Sequence, residues 1–283
     1  MDHDEPLLIF LHIPRAGGTS LWSILNEAYG GRVKRVRGRG LQATHDEVRA
    51  LAQEAGRGHR VIGGHVPFGV GRDCPCPVRY LTVLRDPTDI VLSRYFKRMR
   101  PEVQARKLAR HGADPQTTRI AMNPETPVVD ALRSQHGNPM TKLLSNAQAS
   151  GLRSAVRASR THLDEAKENL ERHFAAIAFV EDYDDSIQRM AAQLGWSSVP
   201  RVANRNAGQA AGSSPPRKLT APLRDGLFRL LPGQHASGSG ASADPGGRPG
   251  YAPEVYEVGR ELNALDYELY DFARRLSRTG EAG

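Results

Sequence analysis

The chain has very little cysteine. Its 283 residues contain two, Cys74 and Cys76, inside the stretch DCPCP. One intervening residue leaves too little reach for an unstrained disulfide. No second pair completes a zinc site, so two reduced thiols in a proline-rich loop are expected. Long apolar runs are also missing: none approaches the ~20 residues of a membrane span. The opening MDHDEPLLIF lacks the basic-then-apolar layout of a secretion signal. These absences lead to the expectation of a soluble, cytoplasmic protein. No internal repeat is visible.

What is present is a 39% hydrophobic composition, enough for one large domain or two small ones. The formal charge is +8, which favours anionic partners such as nucleotides, nucleic acid, acidic glycans or a membrane surface without choosing among them. Because 39 Lys and Arg stand against 31 Asp and Glu, most of the charge is mixed and reads as solvated surface.

Short apolar runs alternate with amphipathic ones. LLIFLHI (7–13) reads as a buried strand ended by Pro14, and TSLWSILNEAY (19–29) as a helix stopped by Gly30 and Gly31. THDEVRALAQEA (44–55) reads as a helix with Thr44 as N-cap and Glu47 completing a capping box. HRVIGGHV (59–66) and VRYLTVLR (78–85) read as strands. DPTDIVLSRYFKRM (86–99) opens a helix with Asp86 as N-cap and Pro87 at its first position. Residues 101–160 read as an irregular insertion of short helices and loops. Beyond it come a helix (161–174), a strand (175–180) and a helix (182–196). A low-complexity, mobile loop is expected over about 232–250. Residues 254–276 read as one long amphipathic helix, interrupted or strained at Gly259. The alternation predicts an α/β fold, with a mainly parallel central sheet flanked by helices in three layers, and one domain over residues 1–283. Ligands in such folds sit beyond the carboxyl ends of the strands. Three segments end there in polar or glycine-rich turns: HIPRAGGTS, GGHVPFG and LRDP.

The first of these turns follows the ATP-loop pattern G-x-x-x-x-G-K-[ST] with changes. His12 takes the first glycine position, Gly17 the second, Gly18 the lysine position and Thr19 the hydroxyl position. The glycine turn and helix N-terminus remain able to cradle a phosphate through backbone N–H groups, so the fold is expected to be P-loop-like. The cation has moved into the turn as Arg15. Such a loop suits a nucleotide with fewer phosphates than a triphosphate.

HIPRAGGTSL resembles the HIPKTGGTSL signature of sulfotransferases of the heparan-sulfate 2-O-sulfotransferase type and their bacterial relatives. The resemblance continues in YLTVLRDPTDIVLSRYF (80–96) and in GGHVPFG (63–69), and more loosely in IAFVEDYDDSIQRMAAQLGW (177–196), RVANRNAG (201–208) and NALDYELYDFARR (263–275). It implies a PAPS-dependent O-sulfotransferase, PAPS being 3′-phosphoadenosine-5′-phosphosulfate. The donor's 5′-phosphosulfate would lie on Arg15, Ala16, Gly17, Gly18, Thr19 and Ser20. Its 3′-phosphate would lie on Arg85 and Ser93. His65 would be the general base, with His12 as its rival, and Arg15 would assist the departing group. An imidazole titrates nearest neutrality of all side chains, and an arginine at a strand end can fork onto a phosphate. For Arg85 the competing reading is an ion pair with Asp86 or Asp89. The implied product is adenosine 3′,5′-bisphosphate (PAP), and no metal is required.

Arg15 stands where relatives usually carry lysine, and Ala16 where they usually carry threonine. Arginine keeps the charge but is larger, planar and permanently protonated. The implied partner is a hydroxyl-bearing acceptor, an acidic glycan or a small alcohol, with no nucleic acid expected. The basic stretches RVKRVRGR (32–39) and RYFKRMRPEVQARKLAR (94–110) either receive such an acceptor or are solvated faces. Two other classes stand beside this reading. One is a P-loop kinase or nucleotide hydrolase, against which the glycine at position 18 weighs. The other is a non-catalytic nucleotide- or polyanion-binding relative.

Overall fold

The computed structural model describes residues 5–38, 40–54, 58–100, 103, 127–134, 137–147, 157–199 and 252–279. In chain order the elements are β1 (Leu7–Leu11), α1 (Gly18–Ala28), β2 (Val33–Arg35), α2 (Leu41–Gln53), β3 (Val61–Gly64), β4 (Val78–Leu84) and α3 (Pro87–Met99). They continue with α4 (Val128–Arg133), α5 (Pro139–Leu144), α6 (Arg160–His173), β5 (Phe174–Phe179), α7 (Tyr183–Gln193), α8 (Pro253–Leu262) and α9 (Ala264–Thr279).

The five strands form one parallel sheet in the order β2-β3-β1-β4-β5. All five residues of β1 are buried, as a strand covered on both faces requires. Its two-residue period divides them. Leu7, Ile9 and Leu11 join a core built with α2, α5, α6 and α9, whereas Leu8 and Phe10 join a core built with α1 and α7. The result is a three-layer α/β architecture. The chain leaves β1 towards β2 and leaves β4 towards β5, in opposite directions along the sheet. The crevice between the carboxyl ends of β1 and β4 is therefore a topological switch point, the place where open α/β sheets bind ligands.

Two compact units divide the chain. The first draws on Met1–Ile90, His136–Asn206 and Asn263–Gly283, and contains the whole sheet. The second draws on Val91–Gln135 and Ala207–Leu262. Its small core packs Val91, Leu92 and Tyr95 of α3 with α4 and with Val255 and Val258 of α8. The predicted mobile loop at 232–250 lies outside the described residues, as does much of the predicted insertion at 101–160. The described part of that insertion does contain the short helices α4 and α5. Among the described residues no helix is long and apolar enough to cross a membrane.

Several local expectations are met. The Asp86 carboxylate accepts from the Asp89 N–H at 3.1 Å at the start of α3. The end of α1 closes with paired bonds, Gly31 N–H to Asn26 O and Gly30 N–H to Glu27 O, a Schellman arrangement.

Three expectations are corrected. α2 begins at Leu41, and Thr44 lies inside it, its hydroxyl donating back to Gly40 O at 2.7 Å. Glu47 accepts from the Arg37 N–H instead of closing a capping box. Residues 33–35, read only as a basic stretch, form edge strand β2, whose register pairs Arg35 with Gly63. The long C-terminal helix is two helices, and the break falls at Asn263 rather than Gly259. Gly259 is buried within α8. Asn263 is fully buried, and its side chain accepts from the Asn138 N–H at 3.0 Å.

The residues flanking that break hold α5. Asp266 accepts from Met140 N–H at 2.9 Å and Thr141 N–H at 2.7 Å, capping α5 from another part of the chain. Complete burial pushes the Asp266 carboxyl up to about 6, against the opposing pull of these bonds and of Lys142. Cys74 and Cys76 are free thiols packed against the core. Burial pushes Cys74 up to about 11, so it stays a thiol at neutral pH.

Candidate functional site

The carboxyl end of β1 runs into a tight turn. Ala16 N–H bonds to Ile13 O at 3.2 Å, and Ala16 itself is fully buried. Arg15 and Gly17 both take left-handed backbone conformations, at φ 77° and φ 70°. For arginine this costs roughly 1–2 kcal/mol, because the Cβ crowds the carbonyl. Gly17 is the N-cap of α1, and no side chain caps that end. The first N–H groups of a helix lack intrahelical acceptors, so the first turn of α1 presents donors and the positive end of its dipole. Thr19 is exposed there. Ser20 is 1% exposed, and its hydroxyl has no hydrogen-bond partner among the described residues.

Gly18 decides the local chemistry of this end. A Cβ on Gly18 would lie 2.1 Å from His12 Cδ2 and 2.2 Å from His12 Nε2. The imidazole therefore lies directly over the position from which an ATP loop extends its lysine. It is held there by stacking on Phe10, with ring centroids 5.3 Å apart and planes 16° apart.

Two neighbouring strands add side chains to this turn. At the end of β3, His65 lies against His12 with ring centroids 4.5 Å apart. His65 Nδ1 is 2.9 Å from the backbone oxygen of His12. A carbonyl can only accept, so this contact assigns the proton to Nδ1 and leaves the Nε2 lone pair available on the exposed ring. At the end of β4, Arg85 Nη1 donates to Arg15 O at 3.2 Å, and Nη2 meets Asp89 at 3.3 Å. Its Nε is buried without a partner among the described residues.

Behind Arg85, a hydrogen-bonded group fixes the start of α3. Asp86 N–H donates to Glu181 at 2.8 Å, and the Tyr267 hydroxyl donates to the Asp86 carboxylate at 3.2 Å. The Tyr270 hydroxyl donates to the other Glu181 oxygen at 2.6 Å. Burial, then the Glu181 charge, raises the Tyr270 phenol far above its usual range, which keeps it a donor. Next to Glu181, Asp182 lies between Arg189 and Arg274. Burial acts to raise its carboxyl, but the hydrogen bonds and charges of the two arginines prevail and hold it below the usual range.

Arg15, Ala16, Gly17, Gly18, Thr19, Ser20, His65 and Arg85 thus gather at the carboxyl edge of the sheet, around β1. Ser93 is half-buried on α3 and falls in the second unit. The segment 201–208 lies outside the described residues. The roles of Tyr267 and Tyr270 were hidden within a stretch that reads as a fold marker. Tyr183 gave no sequence signal. It is 7% exposed, its hydroxyl has no partner among the described residues, and its ring edge lies 3.8 Å from where a Cβ on Gly17 would be. No protein-family model matches the chain, and no curated protein matches it.

Proposed function

We propose that the protein is a soluble, cytoplasmic O-sulfotransferase that moves the sulfuryl group of PAPS to a hydroxyl of an acceptor. One observation carries the reading: the side chains ending β3 and β4 both bond to carbonyls of the turn after β1. His65 reaches His12 O at 2.9 Å, and Arg85 reaches Arg15 O at 3.2 Å. A base and a cation are thereby held on either side of one anion-binding turn, at the switch point of the sheet.

The residues present fit a donor with an anionic 5′ group. Among the described residues, the N-terminus of α1 has no side-chain cap, and the Ser20 hydroxyl and Arg85 Nε are buried without partners. PAPS would supply an activated sulfuryl group, whose bond to the phosphate oxygen breaks with the electron pair leaving on the phosphate. The N–H groups of Gly17, Gly18 and Thr19, with Arg15, would stabilise the charge that develops there. His65 Nε2 would take the acceptor's proton as the acceptor oxygen bonds to sulfur. Arg85 would bind the 3′-phosphate. The resemblance adds Ser93 to that phosphate, but the assignment rests on Arg85. No metal is required by this scheme.

The test is direct. PAP should raise the melting temperature well above any effect of ADP or ATP, because only PAP carries the 3′-phosphate proposed for Arg85. Labelled PAPS, incubated with a panel of glycan, lipid and small-alcohol acceptors, should then yield a labelled product. Equal stabilisation by ADP, with no labelled product, would sink the reading.

A further inference from the structure

The loop differs from an ATP loop by an exchange, not only by a loss. The ATP-loop pattern puts glycine at its first position and lysine at its seventh. Here His12 occupies the first and Gly18 the seventh. The two are in contact in space: the His12 ring sits 2.1 Å and 2.2 Å from the position a Gly18 Cβ would take, closer than any side chain at position 18 tolerates. Two other rings lie against it. It stacks on Phe10 on one hand and meets His65 on the other, with centroids 5.3 Å and 4.5 Å away. Phe10 is fully buried in the core that packs α1 on the sheet.

We propose that His12 is the specificity-determining residue of this loop, its imidazole filling the volume of the ATP-loop lysine so that the turn takes a short 5′ anion and rejects a triphosphate. This rests on the nucleotide-binding reading above and deepens it. In an ATP loop the lysine reaches the β- and γ-phosphates. With a flat ring in its place, the terminal phosphates of ATP lose their cation. Arg15, inside the turn, remains for a single phosphate or phosphosulfate. The same contact explains why glycine stands at position 18: any Cβ there displaces the ring.

The experiment is a double-substitution cycle on the full chain. His12→Gly with Gly18→Lys restores the complete ATP-loop pattern across residues 12–19. Gly18→Lys alone should lower the melting temperature, because the new side chain collides with the ring. Adding His12→Gly should recover much of that loss. The double variant should bind ATP at least tenfold more tightly than the unmodified protein and lose its preference for PAP. His12→Ala, which removes the ring and leaves position 18 alone, should narrow the ratio of ATP to PAP dissociation constants at least fivefold. Gly18→Lys with an unchanged melting temperature would overturn the contact. A folded double variant without improved ATP binding would overturn the specificity role. If the double variant fails to fold, an unchanged ratio in His12→Ala overturns it equally. Failure of the unmodified protein to bind PAP would instead remove the sulfotransferase reading, while the gain of ATP binding still reports on His12.

Discussion

Arg85 donates from Nη1 to the carbonyl oxygen of Arg15 at 3.2 Å, so one arginine holds the backbone of another in a left-handed turn. The bond crosses the switch point of the sheet, from the end of β4 to the turn after β1. It couples the conformation of that turn to the residue proposed for the 3′-phosphate. The other arm of Arg85 is engaged by Asp89 at 3.3 Å. A bound phosphate would have to share the guanidinium with that carboxylate.

Arg85→Ala should weaken PAP binding at least tenfold, since a charge-assisted contact is typically worth ~1.5–3 kcal/mol. Asp89→Asn should do the reverse. It keeps an acceptor for Arg85 but removes the competing charge, so PAP affinity should rise several-fold at low salt and less at high salt. Titration calorimetry at two salt concentrations measures both. Unchanged affinity in Arg85→Ala would leave the residue as a brace for the turn and nothing more.

Arg15→Gly separates stability from function. Glycine accepts φ near 77° without the crowding that arginine suffers. Part of that gain is offset by the freer unfolded chain, so the melting temperature should hold or rise slightly. PAP affinity should nevertheless fall at least tenfold, because the cation inside the turn is gone. A large loss of stability would show that the Arg15 side chain has a structural role.

His65→Ala should lower transfer by roughly 10²–10⁴-fold, the usual range for loss of a general base. PAP affinity should stay within about twofold, because the ring's Nδ1 is committed to His12 O and its Nε2 is proposed to meet the acceptor rather than the donor. Single-turnover rates beside PAP dissociation constants give the comparison. Transfer that survives the substitution would move the base to another residue, with His12 next.

Asp266 gives a pH prediction whose sign is unusual for a carboxylate. Its folded pKa is raised to about 6 by burial, above the ~3.9 of an unfolded aspartate. The folded state therefore holds the proton more tightly. The corresponding stability is fully present below about pH 4 and is lost as pH rises through about 6, amounting to about 3 kcal/mol for a shift of about two units. Asp266→Asn should destabilise most at pH 4, with the difference from the unmodified protein shrinking towards pH 7. Denaturant melts of both proteins across that range check it. A difference that grows with pH would mean that the bonds from Met140 and Thr141 outweigh burial.

Much of the sheet was legible locally. The unbroken apolar run of residues 7–11 marks a strand covered on both faces, because no side of it can face water. Asp86 with Pro87 marks the start of α3, and Gly30 with Gly31 the end of α1, because caps act within one turn. The glycine turn at 12–19 was equally plain, and with it the side chains expected at the sheet edge.

Other features needed the tertiary structure. Residues 33–35 are strand only because β3 supplies the partner ladder, and nothing in a basic run announces that. The helix break falls at Asn263, where Asn138, far away in sequence, offers its N–H, whereas Gly259 is buried inside a continuous helix. The sequence marks His12 and Gly18 as departures from an ATP loop but not as neighbours in space. Only the fold lays the ring of one over the missing side chain of the other, because a turn of six residues joins β1 to α1. Local rules marked the turns that end at the sheet edge. Long-range packing decided which of them touch.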